Sequence, residues 1–272
     1  LGYAHLKQER LRLADAQDYH AYIDQLRSRL LQRARYHLGT TREAGLMIAL
    51  SLGIQENITS EDWKLISRTG LNHLVAISGL HIGIIASIAA LASKFCFRKQ
   101  LISFIPARVV IALVTILTAT GYAVLAGLSI PTRRALFMII IAASMQVGRH
   151  SFTAFQTFWT AFALVLLLDP FAVLTPGLWL SFGLVASLLC ISIGRRQLLR
   201  GWRFTVITQT TASFVSLTPL ALFFGAFPLI SPFANALAIP YISLIVTPLS
   251  LISIIIRIDS LLSAAAWAAH GF

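Results

Sequence analysis

Between residues 73 and 272 the chain carries twelve Lys/Arg but only two acids, Asp169 and Asp259, and the rest of that stretch is laid out in long apolar runs. A helix needs about 20 apolar residues to cross a bilayer. On that measure the runs at 73–93, 109–128, 135–148, 152–168, 174–193, 204–224 and 233–256 read as spans, with a last apolar piece at 260–269. The third run is short, and its flanking arginines extend it by snorkelling. Across 272 residues only 12% are charged and 57% are hydrophobic, whereas a soluble domain carries about 25% charged residues. The expected fold class is all-α: a polytopic transmembrane helix bundle of seven to eight spans, some broken or re-entrant, preceded by amphipathic and interfacial helices. Breaks are expected in 204–256, which holds no charge but has prolines at 219, 228, 232, 240 and 248.

The amino-terminal quarter is different. Residues 1–72 balance ten basic against eight acidic residues. Residues 1–39 read as a charged amphipathic helical lead-in: Tyr19, Ile23, Leu26 and Leu30 recur at helical spacing, and Gly39 suits the stop. Arg27, Arg29, Arg33 and Arg35 crowd its second half, as a solvated face complementing the helix dipole or as a headgroup or nucleic-acid contact. Residues 40–72 read as short interfacial or re-entrant helices at 44–53 and 60–69, and 73–272 as the transmembrane domain.

Loop charges orient the spans. Lys94, Arg98, Lys99 and Arg108, then Arg149, then Arg195, Arg196, Arg200 and Arg203, then Arg257 fall in alternate loops, which the positive-inside rule assigns to the cytoplasm. Residues 1–72 then face the periplasm. Arg133 and Arg134 break the pattern: they lie on the outer side, at a helix start where the dipole also disfavours them. Asp169 in the next outward loop is one compensating anion; a phosphate, bound bidentately, is the other.

Inside the first run, 70–83 reads GLNHLVAISGLHIG. Ser78 and His81 share a helix face, with His73 nearby, and an ionisable residue in a span is a pathway or polar-packing candidate. Gly79, Gly83 and Ser87 form a small-residue stripe that admits a second helix. Asn235 lies between prolines, where it satisfies freed carbonyls or lines a cavity. Phe152, Phe155, Phe158 and Trp159 suit packing or an interfacial belt, with base stacking as the alternative. Cys96 and Cys190 make neither a disulfide framework nor a metal site, no P-loop or carboxylate pair is present, and no cofactor is expected. The chain opens at Leu1 without a signal-peptide pattern and reads as a segment of a longer protein.

TGLNHLVAISGLHIG at 69–83, IPTRRALFM at 130–138, DP at 169–170 with LWLSF at 178–182, and SPFANALAIP at 231–240, in that order, resemble the competence domain of the ComEC family. The likeness runs from about residue 40 to the end. It implies an inner-membrane channel that passes single-stranded DNA into the cytoplasm during natural transformation. Its partners would be DNA, the bilayer, and periplasmic DNA-binding and cytoplasmic DNA-translocating competence proteins. Family members often carry an oligonucleotide-binding-type domain and a metallo-β-lactamase-like domain outside this core, so this segment is expected not to be an enzyme. On that reading Arg133 and Arg134 receive phosphates, and Ser78, His81, His73 and Asn235 line or shape the route. A secondary transporter of small anionic solutes is the alternative. An intramembrane serine protease (Ala76-Ile77-Ser78-Gly79 resembles the rhomboid motif) and a purely structural scaffold are further ones.

Overall fold

The computed structural model describes residues 21–39, 41–98, 106–147, 153–192, 231–256 and 259–270, with 206–207, 210–211 and 214–215 between them. Every regular element among the described residues is helical. They are α1 (21–38), α2 (Arg42–Leu52), α3 (Ser60–Thr69), α4 (Asn72–Val75), α5 (Gly79–Arg98), α6 (Ala107–Leu125), α7 (Ile130–Val147), α8 (Ala154–Leu168), a 3-10 turn (Pro170–Leu174), α9 (Pro176–Ser192), α10 (Ser231–Tyr241), a π turn (Ile242–Val246), α11 (Thr247–Ile256) and α12 (Asp259–His270). Gly79–Phe97, Ala107–Leu125, Ile130–Val147 and Phe233–Ile256 are long and apolar enough to cross a membrane, and Ala154–Leu168 and Gly177–Ile191 are shorter apolar helices. The chain is a membrane protein built as a helix bundle. The expected span at 204–224 lies almost wholly outside the described residues, as does Arg257.

Local sequence accounts for the helix ends. Thr41 and Thr59 accept hydrogen bonds from the backbone N–H groups of Ala44 and Asp62, and Thr153 and Gln156 close a capping box at the start of α8. Gly53 and Gly70 end α2 and α3 in the left-handed region, at φ 72° and 73°. The first long span starts at Gly79 and not at residue 73, because the chain leaves the helix at Ala76 (ψ 131°) after the single turn of α4.

The centre of the bundle is α2. Ala44 through Leu52 are all buried, since the helix is apolar all round and has no face to give to water. It packs on α4, α6, α11 and α12. Leu46, Met47 and Leu50 pack with Leu74 and Val75 of α4, Ile242 and Val246 of the π turn, and Ala265 and Ala268 of α12. α5, α6 and α7 pack consecutively on one another and leave Leu91, Phe95 and Leu117 exposed. Phe158, Phe162 and Phe182 form an aromatic cluster between α8 and α9, with ring centroids 5.0 Å apart for Phe162 and Phe182. At the amino end of α2, His270 Nδ1 lies 2.6 Å from Glu43 Oε1 and holds that carboxyl below its usual range. This contribution is present above the ordinary glutamate pKa and is lost as pH falls through the lowered one.

The run at 233–256 is a broken helix, as its prolines lead one to expect. Pro240 and Pro248 each remove a backbone N–H from the helix. The stretch between them takes five-residue spacing, with the Thr247 N–H donating to the Ile242 carbonyl. The last turn of α11 then sits beside α1: Ile254 packs with Ala34 and Ile48, and Arg33 Nη1 donates to the Ile254 carbonyl at 3.5 Å.

Candidate functional site: an arginine mouth and a buried hydroxyl face

The turn between α6 and α7 is built from two consecutive left-handed residues, Gly127 (φ 78°) and Leu128 (φ 50°). Arg27 braces it from α1. Its Nε donates to the Leu125 carbonyl at 3.1 Å and its Nη2 to the Leu52 carbonyl at 3.0 Å, so one guanidinium caps the C-termini of α6 and α2 together. Tyr122 of α6 donates its hydroxyl to the Leu50 carbonyl at 2.6 Å in the fully buried space between the same two helices. Tyr122→Phe is expected to cost about 1–2 kcal/mol of stability, because it leaves a buried carbonyl without a donor. Thermal unfolding of the purified protein in nanodiscs reads this directly, and an unchanged midpoint would count against the contact.

Arg133 and Arg134 occupy the first turn of α7 but part company there. Arg133 is exposed, and its Nε donates to the Leu128 carbonyl at 2.5 Å. Arg134 is 8% exposed and turns inward onto the start of α9. Its Nη1 donates to Thr175 Oγ1 at a long 3.4 Å, and a Cβ placed on Gly177 would lie 2.5 Å from its Nη2. Its Nε has no hydrogen-bond partner. Asp169 is within electrostatic reach of Arg134, but the two form no ion pair, unlike Asp24–Arg27, Arg42–Asp62 and Glu43–His270. A guanidinium is thus enclosed between the N-termini of two long helices, where both dipoles add to its positive potential. Such a place attracts an anion.

The first turn of α5 stands next to this mouth. A Cβ on Gly79 would approach Ala135 Cβ to 2.9 Å, so Gly79 is where α5 and α7 come close. At Gly83 a Cβ would meet no described atom, and Ser87 is exposed. His81 is completely buried; its Nδ1 accepts the backbone N–H of Ser78 at 3.3 Å, and its Nε2 has no partner. His81 therefore serves as the cap of α5, and the bond it makes is to the Ser78 amide. His73 is exposed on α4. Asn235 is buried on α10.

α5 also packs against the π turn. The broken helix carries Ser243, Thr247 and Ser250, spaced four and three residues apart and so on one face, all at 0% exposure. Ser51 of α2, the helix that packs on α11, is also at 0%. None of these four hydroxyls has a hydrogen-bond partner. A serine or threonine in an apolar helix ordinarily bonds back to the carbonyl one turn earlier, and elsewhere this chain does so: Ser93 to Ala89 at 2.8 Å, Thr115 to Ile111 at 2.6 Å, Ser187 to Gly183 at 2.8 Å. A buried hydroxyl left unpaired costs about 1–3 kcal/mol. Hydrophobic patterning missed this face because Ser and Thr read as neutral within a run. The local signal was available: prolines eight apart, with hydroxyl residues at 243, 247 and 250.

The family model described as "Competence protein" matches residues 50–272. The chain belongs to the ComEC family of competence proteins. It is 40% identical over 235 residues to Competence protein ComA of Neisseria gonorrhoeae, covering 85% of this chain and 33% of that protein. It is 30% identical over 250 residues to Recombination protein 2 of Haemophilus influenzae, covering 86% and 31%. The chain thus spans about a third of the length of these curated relatives. No solved structure matches it. The family match takes in the arginine mouth, the cap of α5 and three of the buried hydroxyls on the broken helix, together with Ser51; Arg27 lies ahead of it. Among the described residues of this competence chain no group of three or more His, Cys, Asp and Glu is placed to hold a metal ion.

Proposed function

We propose that this chain forms the membrane segment through which single-stranded DNA passes across the bacterial inner membrane into the cytoplasm during natural transformation. Relatives named as a competence protein and a recombination protein support a role in DNA uptake. The observation that carries the route is Arg134, a buried guanidinium at the starts of α7 and α9 with no ion-pair partner. In this reading the exposed Arg133 makes the first phosphate contact at the periplasmic face. Arg134 and the helix N-termini take the next phosphate, and Ser78, His81 and Asn235 shape the route beyond. Residues 1–72 lie on the periplasmic side, in keeping with α1 bracing the arginine end of the bundle through Arg27. In this reading the segment is the pore and not an enzyme: His81 spends its Nδ1 on the Ser78 amide, and its Nε2 makes no hydrogen bond to a serine hydroxyl. Periplasmic DNA-binding and cytoplasmic DNA-translocating competence proteins are its partners in the full machinery.

The test is transformation by the full-length protein carrying Arg133→Gln, Arg134→Gln or both in a double variant. Each charge-assisted phosphate contact is worth about 1.5–3 kcal/mol, so Arg134→Gln should lower strand uptake about 10- to 100-fold at unchanged insertion. Gly177→Ala keeps the charge but displaces the guanidinium, and should reproduce part of the loss. Arg133→Gln should flatten the salt dependence of oligonucleotide binding by about 0.7 in log–log slope. Wild-type transformation in the double variant would sink the mouth. Uptake of labelled small anions by proteoliposomes without any need for DNA would put a transporter in its place.

A further inference from the structure

The hydroxyl face of the broken helix has no use within the fold. Ser243, Thr247 and Ser250 are fully buried, unpaired, and held on one side of a segment without a single charge from 204 to 256. Ser51 adds a fourth unpaired hydroxyl from α2, which packs against the same rod. Ser253, one turn on, is also fully buried, but it bonds back to the Ser250 carbonyl at 2.9 Å and so ends the row. On the adjoining strip of this helix Ile242 and Val246 pack into the apolar core with Met47, Leu74 and Ala268, and Ile254, on the strip of the hydroxyls, packs on Ile48 one turn from Ser51. One helix therefore carries a dry strip beside a strip of idle donors.

Its backbone adds to this. Pro240 and Pro248 flank the π turn, so the helix is interrupted where the hydroxyls stand. Interrupted helices in membranes are tolerated where they are enclosed in protein or line a water-filled path. A π turn inside a helix is frequent at functional sites.

We infer that Ser51, Ser243, Thr247 and Ser250 line a hydratable track between α2 and α11, and that the phosphodiester backbone of the passing strand slides along it. This rests on the DNA-passage reading above and names the lining for it. Hydroxyls suit the task better than arginines. Each donates one hydrogen bond to a phosphate oxygen, yet carries no fixed charge to trap a polyanion, and conduction needs sites that bind weakly and repeatedly. The three on the broken helix span about 10 Å of axis at 1.5 Å per residue, so a phosphate leaving one donor reaches the next without crossing apolar surface. α5 links the two regions: it touches α7 through Gly79 and Ala135, and it also touches the π turn. Buried as the face is, it opens when α2 and α11 separate.

The experiment uses the full-length protein with its other cysteines replaced, including Cys96 and Cys190. Ser51→Cys, Ser243→Cys, Thr247→Cys and Ser250→Cys are compared with Ile242→Cys and Val246→Cys. A charged, membrane-impermeant methanethiosulfonate is added from outside to cells with and without transforming DNA. The track predicts at least tenfold faster reaction at the four hydroxyl positions than at the two apolar ones, faster still when DNA is present, and loss of strand import once they are labelled. Reaction no faster than at Val246→Cys, in protein inserted at the normal level, overturns the track. Full labelling with undiminished import overturns the placing of the strand on it. A second set guards against misfolding: Ser243→Ala, Thr247→Val and Ser250→Ala combined should leave thermal stability unchanged or raised while lowering import, whereas a merely structural role predicts a fall in stability. If the seam proves unreactive while Arg134→Gln still stops import, the track alone fails. If labelling the seam stops import while the arginine variants are unaffected, the mouth alone fails.

Discussion

Gly53→Ala is expected to destabilise the protein by about 3 kcal/mol, combining a left-handed backbone with a collision. Gly53 sits at φ 72°, where an L side chain is strained, and a Cβ added to it would come within 2.8 Å of the Ala126 carbonyl oxygen. That oxygen is backbone and belongs to the turn that also contains Gly127 and Leu128, so it cannot yield without moving the start of α7. Gly39 provides the control. Its φ is 67°, but a Cβ there meets nothing within 4 Å, so Gly39→Ala should show the conformational penalty alone, about 1 kcal/mol. The thermal midpoints of the two variants in nanodiscs, measured against the parent, separate the terms. Equal losses would mean that α2 and the α6–α7 turn do not meet as closely as the structure places them.

Arg27→Ala should cost about 2–4 kcal/mol, since it strips a charged donor from two helix C-termini at once. The Leu52 and Leu125 carbonyls lose their 3.0 and 3.1 Å bonds, and neither has an intrahelical N–H to replace it. The exposed 3.5 Å pair with Asp24 adds little to this figure. Arg27→Lys is informative because a single ammonium cannot span both carbonyls as the planar fork does, so it should recover at most half of the loss. Limited proteolysis is a second readout: without Arg27, α1 should be cut more readily while α5 to α7 remain protected. Full stability of Arg27→Ala would return this arginine to the solvated face or headgroup contact that its sequence position suggests.

How much of this was legible beforehand differs from element to element. The stop at Gly39, which ends α1 at φ 67°, was legible from its immediate neighbourhood, because helix ends are settled by local hydrogen bonds; the caps at Thr41, Thr59 and Thr153 obey the same local rule. The oddity of Arg133 and Arg134 was visible as a breach of the positive-inside pattern. Their separate fates were not: one residue of helical rotation sends Arg133 to the surface and Arg134 onto Gly177, and only the position of α9 decides which is which. Gly79 and Gly83 look equivalent in a small-residue stripe, yet of the two only Gly79 lies close against α7. Arg27, about 98 residues from one of its acceptors, gave no sign of its capping role in a helix that reads as solvated.

The sequence by itself determined that this chain is helical and lives in a membrane, because apolar length and scarcity of charge are properties of the chain and lipid admits few answers to them. It also carried the family, through motifs that keep their order along the chain. Tertiary structure decided what the polar residues face. It made short α2 the centre of the bundle, turned Arg134 inward between two helix N-termini, and buried three hydroxyls of a proline-broken helix. These are relations between segments distant in sequence, and their energies depend on distance and enclosure, which no local pattern records.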